Sequence, residues 1–276
     1  MHANASNTTR AYKALVAVLK QIFFTIILLF SFVSIAQPLY TFEKQPYKPN
    51  DVKNFIPKGA YVLKPVFKDA ISTTWPELKY PEYMFALAET ESCISLSHSR
   101  CFSTTSKLDS ARETGVGIGQ ITIAYRLRPG ASLKDYSART GVRFDALAEN
   151  KSLDPRLKDL NWDNITQRAD LQIVLMTAMM KRSYNTFKGM GSTYMDELRF
   201  ADAAYNGGIG GTRQRILKCA ATPNCNKRVW FDNVEKTCTA SRKAIYGSRS
   251  ACDINEEHVH STTVLRLPKY SRFIQP

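Results

Sequence analysis

The chain has no acidic side chain before residue 37 and no cysteine before Cys93. Its four histidines are scattered as His2, His98, His258 and His260. No Cys-x2-Cys pair occurs, which argues against a zinc ribbon or finger. No His-Glu-x-x-His stretch occurs, which argues against a zincin protease. No Gly-x-Ser-x-Gly elbow occurs, which argues against a serine hydrolase of that type. No repeat of solenoid length is visible. Alternating apolar and polar residues are scarce, so the predicted class is mainly α.

What is present is basic and globular. The 276 residues carry 38 Lys and Arg against 24 Asp and Glu, a net charge of +14. The apolar fraction of 44% is enough for a substantial core. Residues 1–36 hold Arg10, Lys13 and Lys20, then an uncharged apolar run at 22–33, then Ser34-Ile35-Ala36. That order reads as a signal peptide cut after Ala36. The alternative is a retained anchor over residues 14–36, with Lys20 snorkelling to the interface. Both fates place the remainder outside the cytoplasm. The part beyond residue 36 keeps a charge of +11. Outside the cell such a charge attracts anionic envelope polymers rather than nucleic acid. The same compartment oxidises thiols. Six cysteines allow 15 pairings, and sequence proximity favours Cys93–Cys101, Cys219–Cys225 and Cys238–Cys252.

Residues 37–75 are punctuated by proline and read as an extended stalk or strap. A helix is predicted over 81–95, with Pro81 and Glu82 suited to its first turn. Met84, Leu87, Ala88 and Glu91 share one face, and Glu89 points to the other side. Residues 103–120 read as loop, and a helix is expected to begin at 121–125. Residues 167–187 are apolar on nearly every side, as a central buried helix would be. Another helix spans 197–205 and stops at Gly207-Gly208. Beyond Cys219 few long elements are expected. The predicted domain therefore covers 76–218, with 219–276 a cysteine-stapled extension packed on it.

Three motifs then stand in order. Glu91-Ser92 ends a helix. Gly115, Gly117, Gly119 and Gln120 form a Gly-rich turn about 25 residues on. Ala203-Ala204-Tyr205-Asn206-Gly207-Gly208 ends a later helix. This ordered set, over roughly residues 78–210, resembles the soluble lytic transglycosylases. The family pattern has Leu-Met where this chain has Ile118-Gly119. The resemblance implies a lysozyme-like helical fold and cleavage of the glycan strands of bacterial peptidoglycan.

The resemblance implies that Glu91, the glutamate followed by serine, is the catalytic acid. Such a carboxyl protonates the oxygen between N-acetylmuramic acid and N-acetylglucosamine. It then takes the proton of the muramoyl C6 hydroxyl, which attacks C1 and closes a 1,6-anhydro ring. A carboxyl on an apolar face holds its proton for that purpose. Gln120 suits sugar hydroxyl and acetamido groups, and Gly117 allows close backbone approach. Tyr205 is expected to line the cleft near the carboxyl. Asn206 and Ser92 are expected to brace it or touch sugar.

Glu113 is expected to orient a substrate hydroxyl or to help a hydrolytic water, as ordinary glycosidases use two carboxylates. Asp109 is a weaker candidate. A lysozyme using water and a non-catalytic glycan-binding protein are the alternative functions. No cofactor or metal is expected. His258 and His260 would share a strand face, but a third ligand is not apparent. Trp162, Trp230 and Phe231 read as core aromatics before sugar platforms.

Overall fold

In the computed structural model the residues described are 52–93, 101–240, 242, 244–246 and 248–274, all within the unit Tyr40–Pro276. The expected export segment, His2 and His98 lie outside them. The elements in order are α1 (Lys58–Thr74), α2 (Glu82–Ser92), β1 (Lys107–Asp109), β2 (Glu113–Val116), β3 (Ile121–Leu127) and β4 (Arg139–Asp145). They continue with α3 (Ala146–Asn150), α4 (Ala169–Phe187), α5 (Tyr194–Gly207), α6 (Ile209–Ala220), β5 (Ala244–Tyr246), β6 (Arg249–Ser250), α7 (Ala251–His260), a π-helical segment (Ser261–Arg266) and α8 (Leu267–Phe273). The architecture is mainly helical, with short 3-10 turns between elements.

The segment expected to be extended carries α1 instead. Pro65 sits inside it. An interior proline costs a helix about 3 kcal/mol. Against that, Ala60, Leu63, Phe67, Ala70 and Ile71 recur at helical spacing and are buried. Burying each large apolar side chain is worth about 1.5–3 kcal/mol. The stripe therefore outweighs the proline, and α1 packs against α4. Residues 37–51 of the expected stalk lie outside the described residues.

The sheet is the second correction. β1 to β4 form one antiparallel sheet in sequence order, with Leu108 opposite Gly115, Thr114 opposite Ile123 and Tyr125 opposite Val142. The helix expected at 121–125 is strand β3. Its sequence ITIAYRL is rich in β-branched and aromatic residues, which fit a pleated surface better than a helix.

Helix α2 lies inside the protein. Tyr83, Met84, Phe85, Ala86, Leu87, Ala88, Glu89, Glu91 and Ser92 are all buried. There is no solvent side for Glu89 to face, contrary to the expected division of the two glutamates. Glu89 is fully buried and Glu91 retains 9% exposure. Helix α4 is also apolar on most sides, as predicted. Helix α5 is capped by Thr193, whose hydroxyl accepts the Asp196 N–H at 3.0 Å. It stops at Gly208, whose φ of +85° favours glycine.

The C-terminal part is more ordered than expected. Ser250 and Asp253 form a reciprocal capping box. From there the chain runs helically through α7, the π segment and α8, which pack on α5 and α2. His258 and His260 thus lie on a helix, not a strand. All three favoured disulfides are present, Cys93–Cys101, Cys219–Cys225 and Cys238–Cys252. Among the described residues no helix is long and apolar enough to cross a membrane.

Candidate active site

Glu91 is the last residue but one of α2, which ends at Ser92 and is followed by Cys93. Its Oε1 is 2.9 Å from His258 Nε2 on α7. The other ring nitrogen, Nδ1, lies 2.8 Å from Asp202 Oδ1 on α5. That contact is an ion pair rather than an aligned hydrogen bond. The Tyr83 hydroxyl of α2 donates to Asp202 Oδ2 at 2.7 Å. Four side chains from three helices thus form one chain, Glu91–His258–Asp202–Tyr83. His258 is 8% exposed, and Asp202 and Tyr83 are fully buried.

Electrostatics fix the charge on His258. Burial alone would lower its pKa. The carboxylates of Asp202 and Glu91 on either side outweigh burial and push it up to about 10. His258 is therefore an imidazolium near neutral pH. Burial, then the Asp202 charge, holds the Tyr83 phenol well above its ordinary value, so it remains a neutral donor.

The linkage gives a stability prediction. The unfolded imidazole loses its proton near 6.5, whereas the folded one holds it to about 10. Stability from this group is complete below the lower value and is lost as pH rises through the upper one. Thermal melts of the protein should fall across that window. A melting temperature flat across it would contradict the charged assignment.

The Gly-rich turn meets the end of α5. The Tyr205 hydroxyl donates to the Gly119 carbonyl at 2.7 Å. A Cβ on Gly119 would stand 2.8 Å from that hydroxyl, so the position has no room for a side chain. Burial, with the charges of Glu91 and Asp202, raises the Tyr205 pKa well above 10. Tyr205 therefore sits within electrostatic reach of the carboxyl, although its hydroxyl is spent on backbone.

The other expected contacts are mostly braces. Ser92 is fully buried. Its hydroxyl donates to the Ala88 carbonyl at 2.6 Å and accepts the Phe102 N–H at 2.7 Å. It ties the end of α2 to the next segment and is closed to sugar. Gly117 has φ +83° and packs against Gln172, whose Oε1 accepts the Ile118 N–H at 2.8 Å. The turn requires glycine here, because a Cβ would collide with the Gln172 side chain. Gln120 donates through Nε2 to the carbonyls of Gly117 and Ser106 at 3.0 and 3.3 Å. Its half-buried side chain thus spends its donor inside the turn.

Asn206 is exposed and accepts from Asn255 Nδ2 at 3.0 Å. Asn255 also donates to the Ala203 carbonyl at 2.9 Å, tying α7 to α5. Glu113 opens β2, half-buried, opposite Ala124 of β3. Asp109 is held by Lys107 at 2.8 Å and accepts from Thr114. Trp230 is fully buried in a second core cluster with Phe187 and Phe200. Trp162 donates to Asp145 at 3.1 Å, and Arg199 lies over the Phe231 ring.

Glu89 is committed elsewhere. Lys269 Nζ lies 2.7 Å from both of its oxygens, the Tyr270 hydroxyl donates to Oε2 at 2.5 Å, and Arg266 Nε lies 3.2 Å from Oε1. Between the two glutamates, Thr90 Oγ1 accepts from Thr262 at 3.1 Å. Three successive residues of α2 thus each meet the C-terminal helical run.

The sequence reading missed His258, Asp202 and Tyr83 as site residues. The capping box at Ser250 and Asp253 was the available cue that 251–260 is helical. Among the described residues no group of three or more His, Cys, Asp or Glu is arranged to hold a metal. Comparison with protein-family models finds no match, and neither do comparisons with curated proteins and with solved structures.

Proposed function

We propose that the protein cleaves the glycan strands of bacterial peptidoglycan by lytic transglycosylation, on a lysozyme-like helical domain exported from the cytoplasm. The observation that carries this reading is convergence. The ends of α2 and α5 and the Gly-rich turn are far apart in sequence, yet α5 links both of the others. Tyr205 bonds Gly119, and Asp202 reaches Glu91 through His258.

Glu91 is the carboxyl with chemical freedom. Oε1 is taken by His258, and Oε2 has no hydrogen bond among the described residues. Glu91 delivers a proton from that oxygen to the glycosidic oxygen as the C1–O bond breaks. As a carboxylate it then accepts the proton of the muramoyl C6 hydroxyl as that oxygen bonds to C1. The proton count on Glu91 returns to its start, and no water is consumed. The reaction needs no cofactor. The basic character of the chain suits a wall rich in peptide carboxylates and anionic polymers.

The test is incubation of the purified exported chain with isolated sacculi. Soluble muropeptides should appear with time. Stoichiometric binding with no release would leave a glycan-binding protein and reject the enzyme.

A further inference from the structure

We infer that His258, clamped by Asp202, is the positioning residue and electrostatic partner of Glu91, which makes the C-terminal helix α7 part of the catalytic centre. The inference rests on the glycan-cleaving reading above for its activity readout, but not for its structural one. It is carried by geometry. An imidazole buried between two carboxylates at 2.8 and 2.9 Å cannot turn without breaking both contacts. It therefore fixes which oxygen of Glu91 faces substrate. The Asn255 bridge to α5 and the Ser250–Asp253 cap fix the helix that presents it.

The charge inventory explains why a histidine suits the place. Glu91 must be neutral before the first step and anionic after it. With Glu91 as a carboxylate the imidazolium stands between two anions, and once Glu91 carries the proton it delivers in the first step, the imidazolium and Asp202 cancel. When Glu91 gives up its proton, the same imidazolium donates a charge-assisted hydrogen bond to the new carboxylate. Asp202 keeps the ring charged throughout and takes a second donor from Tyr83. The other groups facing this set are Tyr205 and Arg199 of α5. Tyr205 stays neutral, and Arg199 is paired to Asp196 at 3.1 Å. On α7 itself Glu257 is exposed and paired to Arg249.

Two isosteric changes should act in the same direction. His258→Gln keeps a donor but removes the positive charge that receives the new carboxylate. Asp202→Asn removes the anion that keeps the ring charged, so His258 releases its proton at lower pH. In each folded variant the rate of sacculus digestion should fall by about tenfold, and in Asp202→Asn the loss should grow as pH rises and the ring discharges. The effect should fall on kcat more than on KM. A merely structural role would not make the Asp202→Asn loss depend on pH. Folded variants that both retain the parent kcat and pH profile would overturn the inference.

A second arm does not need activity or a stable variant at position 258. Nuclear magnetic resonance titration of the intact protein should find the His258 ring protonated well above neutral pH. Glu91→Gln should bring its titration down. A ring that titrates near 6.5, or one indifferent to Glu91→Gln, would reject the pairing even if glycan cleavage is confirmed. Retained pairing with no glycan release from the parent protein would instead reject the proposed reaction and keep the cluster.

Discussion

Glu91→Gln is expected to remove glycan cleavage while leaving the protein folded. Gln matches the size of Glu and can still accept from His258 Nε2 through its amide oxygen. The remaining His258–Asp202 pair is internally neutral. What is lost is the titrating proton. General acid–base catalysis contributes about 100- to 10,000-fold, and here one carboxyl performs both steps. Muropeptide release should therefore fall by at least about 100-fold, with binding to sacculi retained and the melting temperature little changed. Parent-like release from the variant would show that another carboxyl is the acid. Glu113 would then be the next candidate, because Glu89 is sealed beneath Lys269, Arg266 and Tyr270.

Glu89→Gln is expected to have the opposite signature, a large loss of stability. The change strands Lys269, at 2% exposure, and Arg266, at 4%, without the anion that both address. Burial already pulls the Lys269 pKa down despite Glu89. Breaking a buried pair by removing one partner costs about 3–5 kcal/mol. That is a large share of the roughly 5–15 kcal/mol that holds a domain together. A drop of about 6–20 °C in melting temperature should follow. The double change Glu89→Leu with Lys269→Met should recover much of it, because two apolar groups leave little charge stranded. A folded Glu89→Gln variant with the parent's melting temperature would remove Glu89 from the list of structural anchors.

The contrast between these two glutamates shows what a sequence can carry. Glu91 and Glu89 sit in the same helix, and helical periodicity separated them by face. Periodicity assumes a wet side, and α2 has none. Which glutamate was sealed depended on partners about 180 residues away, and no local pattern encodes them. The ends of α2, α4 and α5 were legible because an early acid, a continuous apolar run and a glycine stop act within a few residues. The three disulfides were legible because each closes a short loop. Helix α1 was not, since its proline is a strong local signal and its compensation is tertiary packing. Strand β3 was misread because a short apolar run suits either period until a neighbouring strand pairs with it. His258 was legible as a residue of interest but not as a partner of Glu91. Its role follows from a contact with a helix 167 positions earlier in the chain.

The Gly-rich turn teaches a narrower lesson. Its glycines were read as room for sugar. In the fold that room is filled from within, by Gln172 against Gly117 and by Tyr205 against Gly119. The glycines let the turn close against α4 and α5.

The most direct test of the central claim is the fate of water. Sacculi digested by the protein in heavy-oxygen water should yield muropeptides that end in 1,6-anhydro-muramoyl groups. Each should be lighter by one water than a hydrolysis product and free of the heavy label, since the C6 hydroxyl closes the ring and Glu91 takes its proton. Reducing muramoyl ends carrying heavy oxygen would contradict the account and show that water, not the sugar's own hydroxyl, attacks C1.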